Sequence, residues 1–269
     1  MIVHASVDPE VPAASPATGA VYPDLRGRVA VVTGGSRGLG AAVCLALGVA
    51  GVRVVVSGRD ASALARTVEE VRRAGGEAIA VAADATRGAE VAALHEAAIR
   101  AFGAVDLLVP FAGGDGPQVP TVETTPEDWD ATIAANLGST FLALRTFVPG
   151  MQARGRGAVV TMASAAPRTA TAASAPYAAA KAGVMALTRC AALEAAPHGI
   201  RVNAVAPSLV MHPFLAKVTT EELLTDLTSR EAFGRSAEPW EVANVIVFLA
   251  SEYSTYMTGE VVSVSSRHP

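Results

Sequence analysis

RVAVVTGGSRGLG, residues 28–40, decides the fold. An unbroken apolar run of strand length passes straight into a glycine-rich turn, and a helical pattern follows. Continuous rather than alternating hydrophobicity marks a strand buried on both faces, the habit of parallel sheets. Glycines at 34, 38 and 40 allow a tight turn, close approach of the backbone to a pyrophosphate, and close packing of the following helix. That helix turns free N–H groups and the positive end of its dipole toward the anion. A glycine-rich string alone is a weak signal, but one that ends a strand and opens a helix is far more specific. Gly34, Ser36, Arg37, Gly38, Leu39 and Gly40 are therefore candidate cofactor-binding residues.

The same rhythm continues along the chain. Apolar runs recur at 28–33, 53–57, 77–82, 105–109, 157–162, 200–206 and 260–264. Helical patterns lie between them, at about 39–50, 61–74, 88–102, 127–153, 175–197 and 239–251. Asp60 is placed to cap the second helix; Thr125-Pro126-Glu127-Asp128 supplies a cap, a proline at the first helical position and acids in the first turn. This alternation predicts an α/β fold, a single doubly wound parallel sheet of seven strands flanked by helices, with ligands at the strand C-termini. Residues 207–236 break the rhythm and read as a lid over a pocket. The Pro-, Ala- and Ser-rich residues 1–24 read as a loosely ordered leader, leaving 25–269 as the folded domain.

Bulk properties narrow the function. The 269 residues are 51% hydrophobic and 17% charged, which suits one large domain with an aliphatic core. A net charge of −4 and a single Arg-Arg doublet, Arg72-Arg73, argue against bulk nucleic-acid binding. No apolar run approaches a membrane span, and residues 1–24 lack the basic and apolar parts of a secretory signal. Cys44 and Cys190 fall in helical patterns and read as two buried free thiols of a cytoplasmic protein. His4, His95, His198, His212 and His268 have no metal-ligand spacing, so no metal is expected.

Two arginines bear on the cofactor. Arg37 lies in the glycine loop, and Arg59 ends the second strand, where an acidic residue would bind the ribose diol of NAD. Gly58 leaves room there and Arg59 adds positive charge, which favours a 2′-phosphate. The expectation is NADPH/NADP rather than NAD. A different stretch, SAPYAAAK (174–181), sets Tyr177 and Lys181 four apart on one helix face. Two readings stand: a half-buried Tyr beside a solvated Lys, or an acid/base pair in which the cation lowers the phenol pKa from about 10 toward neutrality.

TGGSRGLG, Asp84, AGG (112–114), Asn136, Ser164, YAAAK and NAVAP (203–207) together resemble the classical short-chain dehydrogenase/reductase family over about residues 25–265. The chain is most similar to 3-oxoacyl carrier-protein reductases and bacterial steroid or polyketide ketone reductases. The resemblance implies a Rossmann-type domain that reduces a ketone, with Tyr177 as general acid and Lys181 serving both the phenol and the nicotinamide ribose. It further implies that Ser164 orients the carbonyl and that Asn136, within the helix 127–153, holds a water in a proton relay. Asp84, Ala85, Ala112, Gly113, Pro207 and Val210 join the cofactor set. The substrate would be a small-molecule ketone or alcohol, carrier-bound or polycyclic, and the assembly a homotetramer built on helices 127–153 and 175–197. The alternatives are an NAD-dependent alcohol dehydrogenase working oxidatively and a cofactor-binding protein without turnover; enoyl reductases space their Tyr and Lys farther apart. Three departures touch the pocket: Pro110-Phe111 replaces the usual Asn-Asn, Ser208 follows Pro207 in place of Gly, and His212 stands where Thr is common.

Overall fold

The computed structural model describes residues 21–169, 172–211 and 221–267. Its strands are β1 Val29–Thr33, β2 Arg53–Gly58, β3 Glu77–Ala82, β4 Leu107–Pro110, β5 Gly157–Met162, β6 Ile200–Pro207 and β7 Val261–Val264. They form one parallel sheet in the order β3-β2-β1-β4-β5-β6-β7. The helices are α1 Gly38–Val49, α2 Ala61–Arg73, α3 Gly88–Phe102, α4 Pro126–Ile133, α5 Ser139–Arg154, α6 Ala166–Thr169, α7 Ala175–Ala195, α8 Glu221–Ser229 and α9 Pro239–Ala250. β1 pairs with β2 on one side (Val29↔Arg53) and β4 on the other (Ala30↔Leu107). The winding reverses there and opens a crevice at the strand C-termini.

Alternate residues of β1 feed opposite cores, as the two-residue period of a strand requires. Ala30 and Val32 pack with Val43 and Leu47 of α1, Leu64 of α2 and Ile246 of α9. Val29 and Val31 pack on the other face with Leu94 of α3, Phe147 and Met151 of α5 and Ala192 of α7. Each such Val buried from water contributes roughly 1.5–3 kcal/mol. The caps fall where the sequence puts them: Asp60 Oδ1 accepts from Ala63 N at 3.0 Å, and Thr125 Oγ1 accepts from Asp128 N at 3.1 Å. Glu238 and Glu241 form a reciprocal capping box ahead of α9.

Three expectations are corrected. The helix expected over 127–153 is not one α-helix: a π-turn at Ala134–Gly138 divides α4 from α5. Asn136, inside it, is fully buried and turns its amide to Thr132 O and Gly114 O, both at 2.9 Å. A polar side chain that leaves its helix for a loop carbonyl is a reason for the ladder to slip by one residue. Cys44 is buried but Cys190 is exposed. The buried stripe of α7 runs through Lys181, Val184, Thr188, Ala192 and Ala195, and Cys190 falls off it. Finally, Pro126–Arg154, taken through the π-turn, is long and apolar enough to cross a membrane by length and composition. Its apolar side is spent on the sheet through Ala143, Leu144, Phe147 and Met151, which explains the composition without a bilayer.

Of the expected leader, residues 1–20 lie outside the described residues; Tyr22 stacks edge-on against Tyr253, and Asp24 accepts from Glu252 N at 2.8 Å. Of the expected lid, residues 212–220, including His212, Phe214 and Leu215, lie outside them too. The described parts are joined at their base. Ser208 and Ser266 both donate to Glu231 Oε2, at 3.0 and 2.8 Å. Ser208 is thus a hydroxyl with a structural partner where a glycine would have none.

Candidate active site

The glycine loop leaves β1 and enters α1 under tight steric constraint. Gly34 has φ +69°, and a Cβ there would lie 2.9 Å from Ala112 N; at Gly40 it would lie 2.2 Å from Gly34 O. These contacts keep the backbone of residues 34–40 bare. Arg37 occupies the N-cap of α1 in an extended conformation, with no side-chain bond to the helix N–H groups. A cradle of exposed N–H groups that a methyl group would fill suits a pyrophosphate. Gly38 and Leu39 form the first turn of α1. Ser36 packs against Gly58 at the end of β2, and its carbonyl accepts from Thr67 Oγ1 at 3.3 Å.

At the end of the crevice beside β2, Arg37 is ion-paired with Asp60, whose carboxyl is held down at about 2 by the Ala63 N–H, by Ser62 and by Arg37. Arg59 is exposed beside them and has no hydrogen bond or ion pair among the described residues. Asp84, after β3, accepts from Thr86 N and Thr86 Oγ1 at 2.9 and 2.7 Å, and these bonds lower its pKa. Its own N–H donates to Glu90 Oε2 at 2.7 Å, which sets the turn carrying Ala85.

Pro110 ends β4, as its missing N–H demands. The turn that follows is held from an unexpected side. Thr33 Oγ1 accepts from Phe111 N at 3.2 Å and Ala112 N at 3.3 Å. The hydroxyl that opens TGG thus fixes the chain at the place where asparagines are usual. Gly113 then passes so close to Asn136 that a Cβ would sit 2.4 Å from its Oδ1.

Tyr177 and Lys181 lie on the first turns of α7, with Lys181 Nζ 5.5 Å from the centre of the Tyr177 ring. Ser164, just after β5, hydrogen-bonds the phenol and accepts from Ala166 N at 3.1 Å. Burial pushes the phenol up to about 12, against the Ser164 bond, which lowers it; the carboxylate of Asp115 raises it further. Burial takes the Lys181 ammonium down to about 8, with Asp115 opposing. The lowering of the phenol toward neutrality that the four-residue spacing suggests is therefore outweighed here by desolvation. Lys181 Nζ donates instead to Met162 O at 2.9 Å, at the end of β5. A buried ammonium with one carbonyl partner retains two N–H donors for further hydrogen bonds.

The crevice thus brings together the glycine loop, Ala112-Gly113, Asn136, Ser164, Tyr177 and Lys181. Pro207 ends β6, and Val210 is held by a bridge to Ala237, with Met211 N donating to Ala237 O at 2.9 Å. Sequence reading missed Thr33, Thr132 and Asp115. Thr33 stood in the quoted motif, but nothing in the string marked its hydroxyl as the partner of a turn 78 residues away.

Residues 34–266 match the family described as enoyl-(acyl carrier protein) reductase. A (5R,7aS)-5-hydroxy-7a-methyl-1-oxo-2,3,5,6,7,7a-hexahydro-1H-indene-carboxyl-CoA reductase of Mycobacterium tuberculosis is 44% identical over 91% of this chain and 94% of its own length. Among solved structures, an actinorhodin polyketide ketoreductase with NADPH is 34% identical, with a TM-score of 0.85, over 89% of this chain and 96% of that one. A 7α-hydroxysteroid dehydrogenase with NADH and 7-oxo glycochenodeoxycholic acid is 32% identical, with a TM-score of 0.86, over 91% of this chain and 96% of that one. Similarity that spans the glycine loop, the crevice and the last strand identifies the chain as a member of the short-chain dehydrogenase/reductase family, an NAD(P)-binding oxidoreductase of CH–OH and C=O groups.

Proposed function

We propose that the protein is an NADPH-dependent ketoreductase, with Tyr177 as the proton donor. The observation that carries this reading is the half-buried phenol, hydrogen-bonded to Ser164 and flanked by the buried Lys181, beside the glycine-loop crevice. The cofactor supplies a hydride when bound. Gly34, Ser36, Arg37, Gly38, Leu39 and Gly40 would hold its pyrophosphate, Asp84 and Ala85 the adenine end, and Ala112, Gly113, Pro207 and Val210 the nicotinamide end. Lys181 would bind the nicotinamide ribose through its remaining donors. Ser164 orients the substrate oxygen, and the Tyr177 hydroxyl gives it a proton as negative charge develops there. Asn136 ties the loop after β4 to the helix and, by the same reading, serves the relay toward Lys181. The similar proteins act on polyketide, steroid and CoA-linked substrates by their names, which supports a polycyclic or carrier-bound ketone here. A panel of β-ketoacyl thioesters, polycyclic ketones and diketones, followed by NADPH oxidation, tests the reading; no turnover on any of them would sink it.

The cofactor preference rests on Arg59, an exposed guanidinium at the end of β2 that makes no hydrogen bond or ion pair among the described residues and whose charge reaches Asp84. NADPH should be preferred over NADH by about tenfold or more in kcat/KM, or roughly 1.4 kcal/mol. Arg59→Ala should erase most of that preference and leave NADH kinetics nearly unchanged. Equal kcat/KM for both cofactors in the wild type would favour a second reading, an NAD-dependent alcohol dehydrogenase, which the Asp60 carboxylate beside Arg37 supports.

A homotetramer, or at least a dimer, is the proposed assembly. α7 exposes Ala179, Ala182, Ala186, Cys190 and Leu193 at three- and four-residue spacing, and Leu193 is 79% exposed. Trp129 on α4 and Phe141 on α5 are also exposed. An apolar stripe flanked by open aromatic side chains suits contact with a second copy. Light scattering should report an oligomer at micromolar concentration and a smaller species for Leu193→Glu; a wild-type monomer would contradict the assembly. Free thiols at Cys44 and Cys190 support a cytoplasmic location.

A further inference from the structure

The loop after β4 carries one side chain that nothing so far explains. Gly113-Gly114-Asp115-Gly116 is fastened on both sides of Asp115. Gly114 N donates to Asn136 Oδ1 at 3.3 Å, and Gly114 O accepts from Asn136 Nδ2 at 2.9 Å. Gly116, with φ +69°, lies so close to α4 that a Cβ would be 2.4 Å from Thr132 Oγ1. A Cβ on Gly113 would be 3.7 Å from Lys181 Nζ, so the start of the loop passes directly over the ammonium. Asp115 is exposed between these fixed points, and no hydrogen bond or ion pair holds its carboxylate among the described residues. Its charge nevertheless reaches both members of the pair beneath: it raises the phenol of Tyr177 and favours the charged form of Lys181. The groups around the phenol are thus Ser164 from the β5 end, Lys181 from α7 and Asp115 from the loop.

We propose that Asp115, held over the crevice by the Asn136 and Thr132 contacts of its neighbours, selects the substrate: ketones with a hydroxyl or ammonium donor beyond the reacting carbonyl are favoured, and those with a free carboxylate there are rejected. The proposal rests on the ketoreductase reading and deepens it. A carboxylate with no protein donor accepts charge-assisted hydrogen bonds from a ligand that brings its own. The same charge repels a ligand anion over distances shorter than a Debye length, about 8–10 Å at ordinary salt. The backbone ties on either side of Asp115 limit how far its carboxylate can retreat from the ligand.

Three matched cyclic ketones test it: one unsubstituted, one with a hydroxyl on a remote ring carbon, and one with a carboxylate on that carbon. Each is reduced by the wild type, Asp115→Asn and Asp115→Glu, with NADPH oxidation as the readout. The wild-type kcat/KM should favour the hydroxy ketone over the carboxylate by about tenfold. Asp115→Asn should compress that ratio at least about threefold, Asp115→Glu should keep its order, and added salt should weaken rejection of the carboxylate. An unchanged ratio in Asp115→Asn would overturn the proposal. So would an equal loss on all three ketones, the mark of a damaged loop. Failure of the wild type to reduce even the unsubstituted ketone with either cofactor would overturn the ketoreductase reading itself and this proposal with it.

Discussion

Tyr177→Phe should lose kcat by two or more orders of magnitude, the scale of general acid catalysis. The substitution deletes one oxygen and keeps the ring, so folding and cofactor affinity should change little. Lys181→Ala should weaken both turnover and cofactor binding. Its ammonium is buried, bonded to Met162 O, and faces the crevice between Tyr177 and the loop after β4. Lys181→Arg should recover little, because a planar guanidinium does not fit a site built for a compact cation with one carbonyl partner. The pH dependence has a definite sign. Burial and Asp115 hold the phenol protonated, pushed up to about 12. Reduction, which needs the protonated acid, should vary little through the neutral range. Oxidation, which needs the phenolate, should rise with pH there. Steady-state rates in both directions check this; near-full turnover by Tyr177→Phe would mean that α7 carries only a half-buried phenol and a buried amine.

The second large effect is expected at Gly40. An added methyl group would sit 2.2 Å from Gly34 O, a backbone atom that cannot swing aside. Either α1 moves away from the loop or the loop turns its N–H groups out of line. Overpacking of this kind costs about 1–3 kcal/mol in stability. Displacement of the cradle should lower NADPH affinity by about tenfold or more in Gly40→Ala, since each tenfold is only 1.4 kcal/mol. Gly150→Ala is the control. It lies within α5, its nearest neighbour would be 3.7 Å from the new Cβ, and alanine favours a helix over glycine by about 1 kcal/mol. Denaturant midpoints and fluorescence titration with NADPH should separate the two variants. Equal midpoints and affinities would show that the loop has slack.

Much of this was legible because the deciding signals are local. β1 reads as buried on both faces from five residues, and the turn after it reads as an anion cradle from the spacing of three glycines. Asp60 and Thr125 cap helices because a short polar side chain sits next to a helical pattern, a relation that needs no tertiary contact. What the sequence concealed depends on partners far along the chain. Thr33 holds the turn at Phe111, and Asn136 holds the loop at Gly114. Nor does spacing carry burial: Tyr177 and Lys181 are four apart as read, yet desolvation moves both pKa values opposite to what their proximity alone would give. Cys190 was misjudged for a related reason. The alanines of α7 are apolar on every face, so their pattern does not say which side meets the sheet.

The π-turn at Ala134–Gly138 limits what insertions and deletions this chain can tolerate. A variant lacking a single residue between 134 and 138 would close as regular α-helix with α4 and α5 still seated, because the π-turn holds one residue more than an α-turn. What it would lose is the outward placement of Asn136 and its bond to Gly114 O. Chain length in this stretch is therefore constrained by the placement of Asn136 rather than by the seating of the helices, and lineages of this protein should vary in length on either side of the turn but not within it.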